Sequence, residues 1–368
     1  MNLVFVVPLE TRGAMIQARA VHEWCRRNGH RVVRVVGSRV DATTPSPRTF
    51  PGFDAPGEVV RGLGPITRAD RYPSLADWIL QALGHRRSLA DAMACIDRAI
   101  SVDRADAVVS FMEPLATLHR RIGRANAPLL TIGHPLRWAH PRAPREDALR
   151  ATARTLARRA TWSSAGGLRH ALTLEPIEDL PGSGWMSGPP LLEGMTPGGS
   201  LAQETLMPSE GWVVVLARAE QRQEVEIWHQ RHPRTRIDCF YQRSESVGSE
   251  TVDATLHFHP LDPGLLRLRM AACEGILIDG GFEALTLAAS QGKPVLHWLG
   301  RPHAESRLLA EEMARLGLSR SCRSFNPVEP GELQNPGNRS FQEWLSRSGE
   351  RLTKTFELLA SRIRRRDS

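Results

Sequence analysis

Short, unbroken apolar runs alternate with amphipathic stretches along this chain, and the alternation starts twice. Residues 3–7 (LVFVV) form the first run. A stretch at 14–27 follows, with Ile16, Ala20, Val21 and Trp24 at helical spacing; Asn28-Gly29 stops it, and 30–36 (HRVVRVV) is apolar again. A strand apolar on both faces belongs to a sheet covered on both sides, and strand–helix–strand units build parallel sheets. The pattern continues through a helix-rich stretch at 74–100, strands at 106–111 (DAVVSF) and 128–132 (PLLTI), and a helix near 115–125 between them.

Residues 161–199 are rich in Gly and Pro and lack periodicity, which reads as the end of one domain and the linker into the next. The alternation then restarts. Strands are expected at 211–216 (GWVVVL), 236–241, 255–258, 275–279 and 294–299, helices at 221–232, 266–272 and 304–316, and a last amphipathic helix at 341–366. With 368 residues the chain is too long for one ordinary core, so two doubly wound α/β domains are expected, at 1–185 and 186–340.

Composition removes several classes of function. No run approaches the roughly 20 apolar residues that span a bilayer, and the first residues (MNLVFVVP) read as a strand rather than a signal peptide. Five scattered cysteines, none in C-x-x-C spacing, argue against a disulfide framework or zinc site and for a reducing, cytoplasmic setting. The net charge of +8 is almost entirely arginine, since Lys293 and Lys354 are the only lysines. Such a surplus suits anionic partners. Nucleic acid is not expected, because no basic run is interleaved with aromatics. There is no P-loop, no G-x-G-x-x-G after the first strand, no G-x-S-x-G elbow and no metal-binding His/Cys cluster.

One segment carries chemistry. In "GILIDGGFEALTLAASQGKPVLHW" a buried strand turns into a helix through Gly280-Gly281. Ligands of open α/β sheets bind at the carboxyl ends of strands. Glycine allows positive φ and a close approach to the backbone, and a helix N-terminus attracts phosphate. The alternative is a tight turn, with Glu283 merely complementing the helix dipole.

Together with "HAESRLLAEEMARLGL", the segment resembles the donor-site signature of GT-B glycosyltransferases, in particular those related to MurG and the UDP-glucuronosyltransferases. "SFMEPLATL" is similar to that group's Asp-Phe-Glu-Pro segment, "SGPPLLEG" to its Gly-Pro linker, and Arg19 to its first-helix arginine. The resemblance implies two Rossmann-like domains facing a central cleft, with residues 341–368 packing back on the first. It implies transfer from a nucleotide-diphosphate sugar, UDP-linked by preference, with inversion and without a metal or other cofactor. By the same resemblance the backbone of Gly280, Gly281 and Phe282 faces the diphosphate, Glu283 and Glu305 face sugar or ribose hydroxyls, His259 lies by the nucleobase, and Arg218 reaches the diphosphate. Three positions depart from the family pattern: Leu287 replaces a glutamate, Ser306 a glutamine, and Ile16 the histidine that serves several relatives as base.

An inverting transfer needs a group to take the acceptor's proton. Glu10, Glu113 and His134, each following an expected strand of the first domain, are the candidates, and each could instead cap a helix or pair with arginine. The cationic first domain and Arg364-Arg365-Arg366 suit peripheral contact with an anionic membrane and a lipid-linked acceptor. A non-catalytic scaffold and a nucleotide-sugar epimerase are the rival functions.

Overall fold

The computed structural model describes residues 1–9, 12–42, 45–62, 84–123, 126–141, 167–180, 182–192, 211–216, 219–241, 248–279, 281–299, 304–323, 325 and 339–367. The chain divides into two compact units, Met1–Gly199 with Ser346–Ser368, and Ser200–Leu345.

The first unit holds β1 (Asn2–Pro8), β2 (Arg31–Arg39), β3 (Ser46–Arg48), β4 (Gly57–Arg61), β5 (Ala107–Ser110), β6 (Leu129–Gly133), β7 (Leu168–Leu172) and β8 (Trp185–Gly188). They form one sheet in the order β3-β4-β2-β1-β5-β6-β7-β8, parallel throughout except where β3 meets β4. The apolar run of β1 has a direct cause in this arrangement. Val4 and Val6 face one core with Val36, Val108, and residues of α2 (Arg86–Ser101) and α3 (Pro114–Ile122). Phe5 points the other way, edge-on to Phe111 at 5.1 Å and Phe53 at 6.4 Å. Both faces are buried, which is why the run is apolar at every position. Two further helices of this half are α1 (Arg12–Arg27) and the single turn α4 (Leu136–Ala139).

The second unit holds β9 (Trp212–Leu216), β10 (Ile237–Tyr241), β11 (Glu250–Thr251), β12 (Leu256–Pro260), β13 (Gly275–Ile278), β14 (Val295–Trp298) and β15 (Arg320–Cys322), in the order β11-β12-β10-β9-β13-β14-β15. Only β11 is antiparallel to its neighbour. Its helices are α5 (Arg222–Arg231), α6 (Pro263–Ala272), α7 (Phe282–Ser290), α8 (Ala304–Arg315) and α9 (Arg339–Ser346). Asp262 caps α6, accepting from Leu265 N at 2.6 Å, with Pro263 in the first turn where a missing N–H does no harm.

Three expectations are corrected here. Residues 168–172 and 185–188 are strands of the first sheet, where a linker was expected. Their apolar run is broken by Arg169 and His170, both buried: Arg169 lies over the Trp185 ring at 5.0 Å, and His170 Nδ1 is 2.7 Å from Thr355 Oγ1. The strands β3, β4, β11 and β15 were not foreseen. The final helix is two, since α9 ends at Ser346 and α10 (Ser348–Asp367) begins the return to the first unit.

Polar contacts fasten α10 there. Arg351 donates to Ser187 O at 2.6 Å and to the Asp179 carboxylate, which Lys354 also meets at 3.0 Å. Burial alone would raise Asp179, but the Ser187 N–H, Arg351 and Lys354 outweigh it and hold the carboxyl below its ordinary range. The Thr355 hydroxyl donates to Arg351 O at 2.9 Å, so its oxygen accepts from His170 Nδ1–H. Gly188 makes room for that ring, because a Cβ there would sit 2.2 Å from His170 Nε2. Four of the five cysteines are buried and Cys322 half-buried, all free; burial pushes the Cys273 and Cys322 thiols up to about 11, which makes them packing groups rather than nucleophiles.

Burial lowers His170 to about 3, helped by the charge of Arg351, and lowers His297 on β14 to about 4. An unfolded histidine titrates near 6.5. Between about pH 6.5 and 4 the unfolded chain therefore binds more protons than the folded one, and stability falls as pH falls. Each such histidine adds a slope of up to about 1.4 kcal/mol per pH unit. Urea denaturation at pH 7, 6 and 5 should show midpoints that decline with pH, and His297→Leu should flatten the decline; a pH-independent midpoint would contradict neutral burial of these rings.

Candidate functional site

In the second unit the chain runs outward from β9 through β10 to β12, then returns across β9 to β13 and moves the other way. Helices leaving β9 and β13 therefore diverge, and the carboxyl ends of these two strands flank the switch point where open α/β sheets bind ligands. Two side chains frame it. Asp279 follows β13 directly, and its N–H donates to Val215 O of β9 at 2.9 Å. Its carboxylate accepts from Gln221 Nε2, on the turn that leads out of β9. Gln221 is buried.

The helix that starts here, α7, has Gly281 as its N-cap residue and no side-chain cap. Gly281 has φ −81 and ψ 179, which any residue adopts, so the expected positive φ is absent at this position. Nor does packing against the described residues demand glycine: among them a Cβ would meet only Glu283 Oε2, at 3.6 Å. What glycine provides is open access to the first turn of a nine-residue helix, where backbone N–H groups and the dipole favour an anion. Phe282 turns its ring into the core, 3% exposed, while Glu283 is half-buried in the same first turn.

The remaining donor-side candidates are spread over other elements. Glu305 is the second residue of α8, its side chain outside the described residues, as are Gly280 and Arg218. His259 is built into the sheet. Its Nε2 donates to the Asp238 carboxylate of β10 at 2.9 Å, and its Nδ1 lies 2.9 Å from Ser249 Oγ. Burial pushes Asp238 up, yet the His259 bond and the Arg269 and Arg236 charges hold it below its ordinary range. Both ring nitrogens of His259 are thus engaged by protein groups. His297, fully buried beside Ile278 on the neighbouring strand, has no hydrogen-bond partner on either nitrogen among the described residues. A buried polar group of that kind is uncommon, and neither it nor the Asp279–Gln221 pair was legible beforehand; the aspartate preceding Gly-Gly was the available signal for the latter.

In the first unit the strand order reverses in the same way at β1 and β5. Glu10, after β1, lies outside the described residues. Glu113, after β5, is 1% exposed and caps α3, accepting from Leu115 N at 3.1 Å, while Ser38 Oγ donates to its other oxygen. It serves as the helix cap that was the alternative to a base. His134 follows β6, 1% exposed, with Trp138 edge-on at 4.8 Å. The ends of adjacent strands thus bring Glu113 and His134 to one edge of the sheet. Between them Met112 has φ +62, an uncommon conformation for a side chain of this size and one that clusters at functional sites. Gly133 admits it, since a Cβ there would sit 2.2 Å from Met112 Cγ. Among the described residues no group of His, Cys, Asp or Glu is placed to hold a metal ion, and no helix is long and apolar enough to cross a membrane.

No sequence-family model and no curated protein matches the chain. Solved structures do. The calicheamicin glycosyltransferase CalG4 superposes with a TM-score of 0.58 at 15% identity, covering 98% of each chain. The glycosyltransferase SnogD from Streptomyces nogalater gives 0.58 at 15% identity over 98% of this chain and 99% of its own. SsfS6 from Streptomyces sp. SF2575, complexed with thymidine diphosphate, gives 0.54 at 14% identity over 100% and 99%. The fold is GT-B. In GT-B terms, β1–β8 with α10 make the N-terminal Rossmann-like unit and β9–β15 the C-terminal one, each with helices on a predominantly parallel sheet.

Gly281 and Gly133 should behave oppositely. Gly281→Ala is expected to change stability by less than about 0.5 kcal/mol, as an unstrained exposed position does, whereas Gly133→Ala should lose about 1–3 kcal/mol by overpacking against Met112. Urea denaturation of the two variants measures both, and a large loss at Gly281 would show that the fold itself requires the glycine.

Proposed function

We propose that this protein transfers a sugar from a nucleoside-diphosphate sugar to an acceptor hydroxyl. The observation that carries the reading is the switch point between β9 and β13, where α7 opens on a glycine that neither its backbone conformation nor packing against the described residues requires. Its support is the GT-B fold, shared over nearly the whole chain with glycosyltransferases, one of them bound to thymidine diphosphate.

In the proposed reaction the acceptor oxygen attacks the anomeric carbon, the bond from that carbon to the diphosphate oxygen breaks, and configuration inverts. The diphosphate leaves with the bonding electrons, and its growing charge is met by the backbone of Gly280, Gly281 and Phe282 at the positive end of α7, with Arg218 as a further cation. This is the role a metal ion plays in other transferases, so the proposed transfer is metal-independent. Glu283 and Glu305 are assigned to hydroxyls of the sugar or ribose. His259 is assigned a supporting place, holding β12 to β10 through Asp238, rather than a direct contact with the base. Glu10 and His134 are the proposed bases for the acceptor's proton. Glu113, engaged as a cap, is proposed to shape the edge that carries His134. The resemblance favours uridine as the nucleobase and the bound neighbour favours thymidine; the proposal is a pyrimidine.

Thermal stability should rise with UDP or TDP and not with ADP or GDP, by about 2.7 kcal/mol at a hundred times the dissociation constant, and Gly281→Trp should abolish the rise. No stabilisation by any nucleotide would move the protein to the scaffold function, which the replacements at Ile16 and Leu287 favour. With a donor found, product analysis separates transferred or hydrolysed sugar from an isomerised donor, which would indicate an epimerase. Loss of the true base, tested with Glu10→Gln and His134→Ala, should lower the rate by about 10²–10⁴. Glu113→Gln, which keeps an oxygen for the cap, should cost far less.

A further inference from the structure

The β11 end of the second sheet holds a polar chain that the donor site does not use. Ile237, Cys239 and Tyr241 of β10 and Leu256 and Phe258 of β12 enter one core. Alternation along a strand therefore puts Asp238, His257 and His259 on the opposite face, where the two histidine rings stack at 6.3 Å. β11 pairs antiparallel with β12, Glu250 opposite Phe258 and Thr251 opposite His257, and one step further along this register Ser249 falls opposite His259. Arg222 donates to both oxygens of Glu250, at 2.7 and 2.9 Å, and so fixes the chain immediately after Ser249.

Three side chains line up as a result. His259 Nε2 is 2.9 Å from Asp238 Oδ1, and its Nδ1 is 2.9 Å from Ser249 Oγ. Asp238 is 4% exposed and His259 7%, while Ser249 is exposed. Burial would raise Asp238, but the His259 bond and the charges of Arg269 and Arg236, at 3.9 and 3.5 Å, hold it below its ordinary range. It is a carboxylate, which can only accept. That fixes the tautomer: a neutral ring carries its proton on Nε2, facing Asp238, and turns the Nδ1 lone pair to Ser249, whose hydroxyl donates. A hydroxyl that donates to an imidazole oriented by a buried carboxylate is the arrangement of an activated serine nucleophile. The ring nitrogens are exchanged relative to the serine-protease triad, Nδ1 rather than Nε2 facing the serine, and the roles are the same.

We propose that Ser249, His259 and Asp238 form a second reactive site, in which Ser249 takes the acyl group of a small activated ester and passes it to water. The Ser249 proton moves to His259 Nδ1 as Oγ bonds the carbonyl carbon and the C=O π pair moves onto its oxygen. That pair then re-forms the carbonyl, the bond to the leaving oxygen breaks, and the alcohol or phenol departs with the proton from Nδ1. Water repeats the sequence on the acyl-serine, releasing the acid and restoring the hydroxyl. Asp238 stays ionised throughout, facing the Nε2–H. The site is built on β10, β12 and the residue before β11, whereas the donor reading rests on β9, β13 and α7, so neither depends on the other.

Mass spectrometry of the full chain treated with a fluorophosphonate tests the assignment. Ser249 Oγ should replace fluoride on phosphorus, its proton passing to His259, and peptide mapping should place the adduct on Ser249. Ser249→Ala should remove that adduct. His259→Gln should slow labelling by about 10²–10⁴, the loss expected for a general base. Hydrolysis of p-nitrophenyl acetate should likewise be faster in the wild type than in either variant. Because Ser249 is exposed, its alanine variant should unfold at the wild-type temperature and keep its stabilisation by nucleotide, so failure of this site and failure of the donor site are read separately. No adduct on Ser249, or an adduct that forms as fast with His259→Gln, would overturn the proposal.

Discussion

Burial of one central strand on both faces governs each unit. β1 and β9 carry apolar side chains to both sides of their sheets, and each therefore needs helices laid over both faces. Right-handed crossovers satisfy that need only if the chain works outward in one direction and then comes back to work in the other. The return creates a place where neighbouring strands send their helices apart, and the backbone at their carboxyl ends is left uncovered. The strand ends that carry Glu113 and His134 in the first unit and the helix end at Gly281 in the second are thus by-products of packing two hydrophobic faces per strand.

What was legible in the sequence follows from the same physics. Strands buried on both faces announce themselves as apolar runs, so β1, β2, β5, β6, β9, β10, β13 and β14 stood out. β7 did not, because Arg169 and His170 are buried within it and their partners, Trp185 and Thr355, come from elsewhere in the chain. β3, β4 and β15 are short or marginal, where tertiary pairing decides and local pattern does not. The Gly-Gly turn stood out from its position after a strand; of the two reasons for glycine that the sequence offered, an unusual φ is absent at Gly281. Long-range side-chain pairing stayed hidden altogether. That Glu113 would receive Ser38, or that His259 would bridge Asp238 and Ser249, depends on neighbours 10 to 75 positions away.

The polar interior has a common design. Asp179, Asp238 and His259 are each taken out of water where specific donors or acceptors meet them, and His170 has a partner at Nδ1, in line with the cost of burying an unmatched polar group. His297 departs from this, with neither ring nitrogen hydrogen-bonded among the described residues.

The stitching of α10 to the first unit has a consequence for how the molecule is made. Phe356 packs on Trp24 at 4.7 Å, and Arg351 and Thr355 reach Ser187, Asp179 and His170. Residues 200–345 are therefore an insertion between two parts of one unit. During synthesis the second unit has its whole sequence available while the first still lacks its closing helix. Until residues 351–355 are made, His170 lacks Thr355, and Asp179 has the Ser187 N–H but not Arg351 or Lys354.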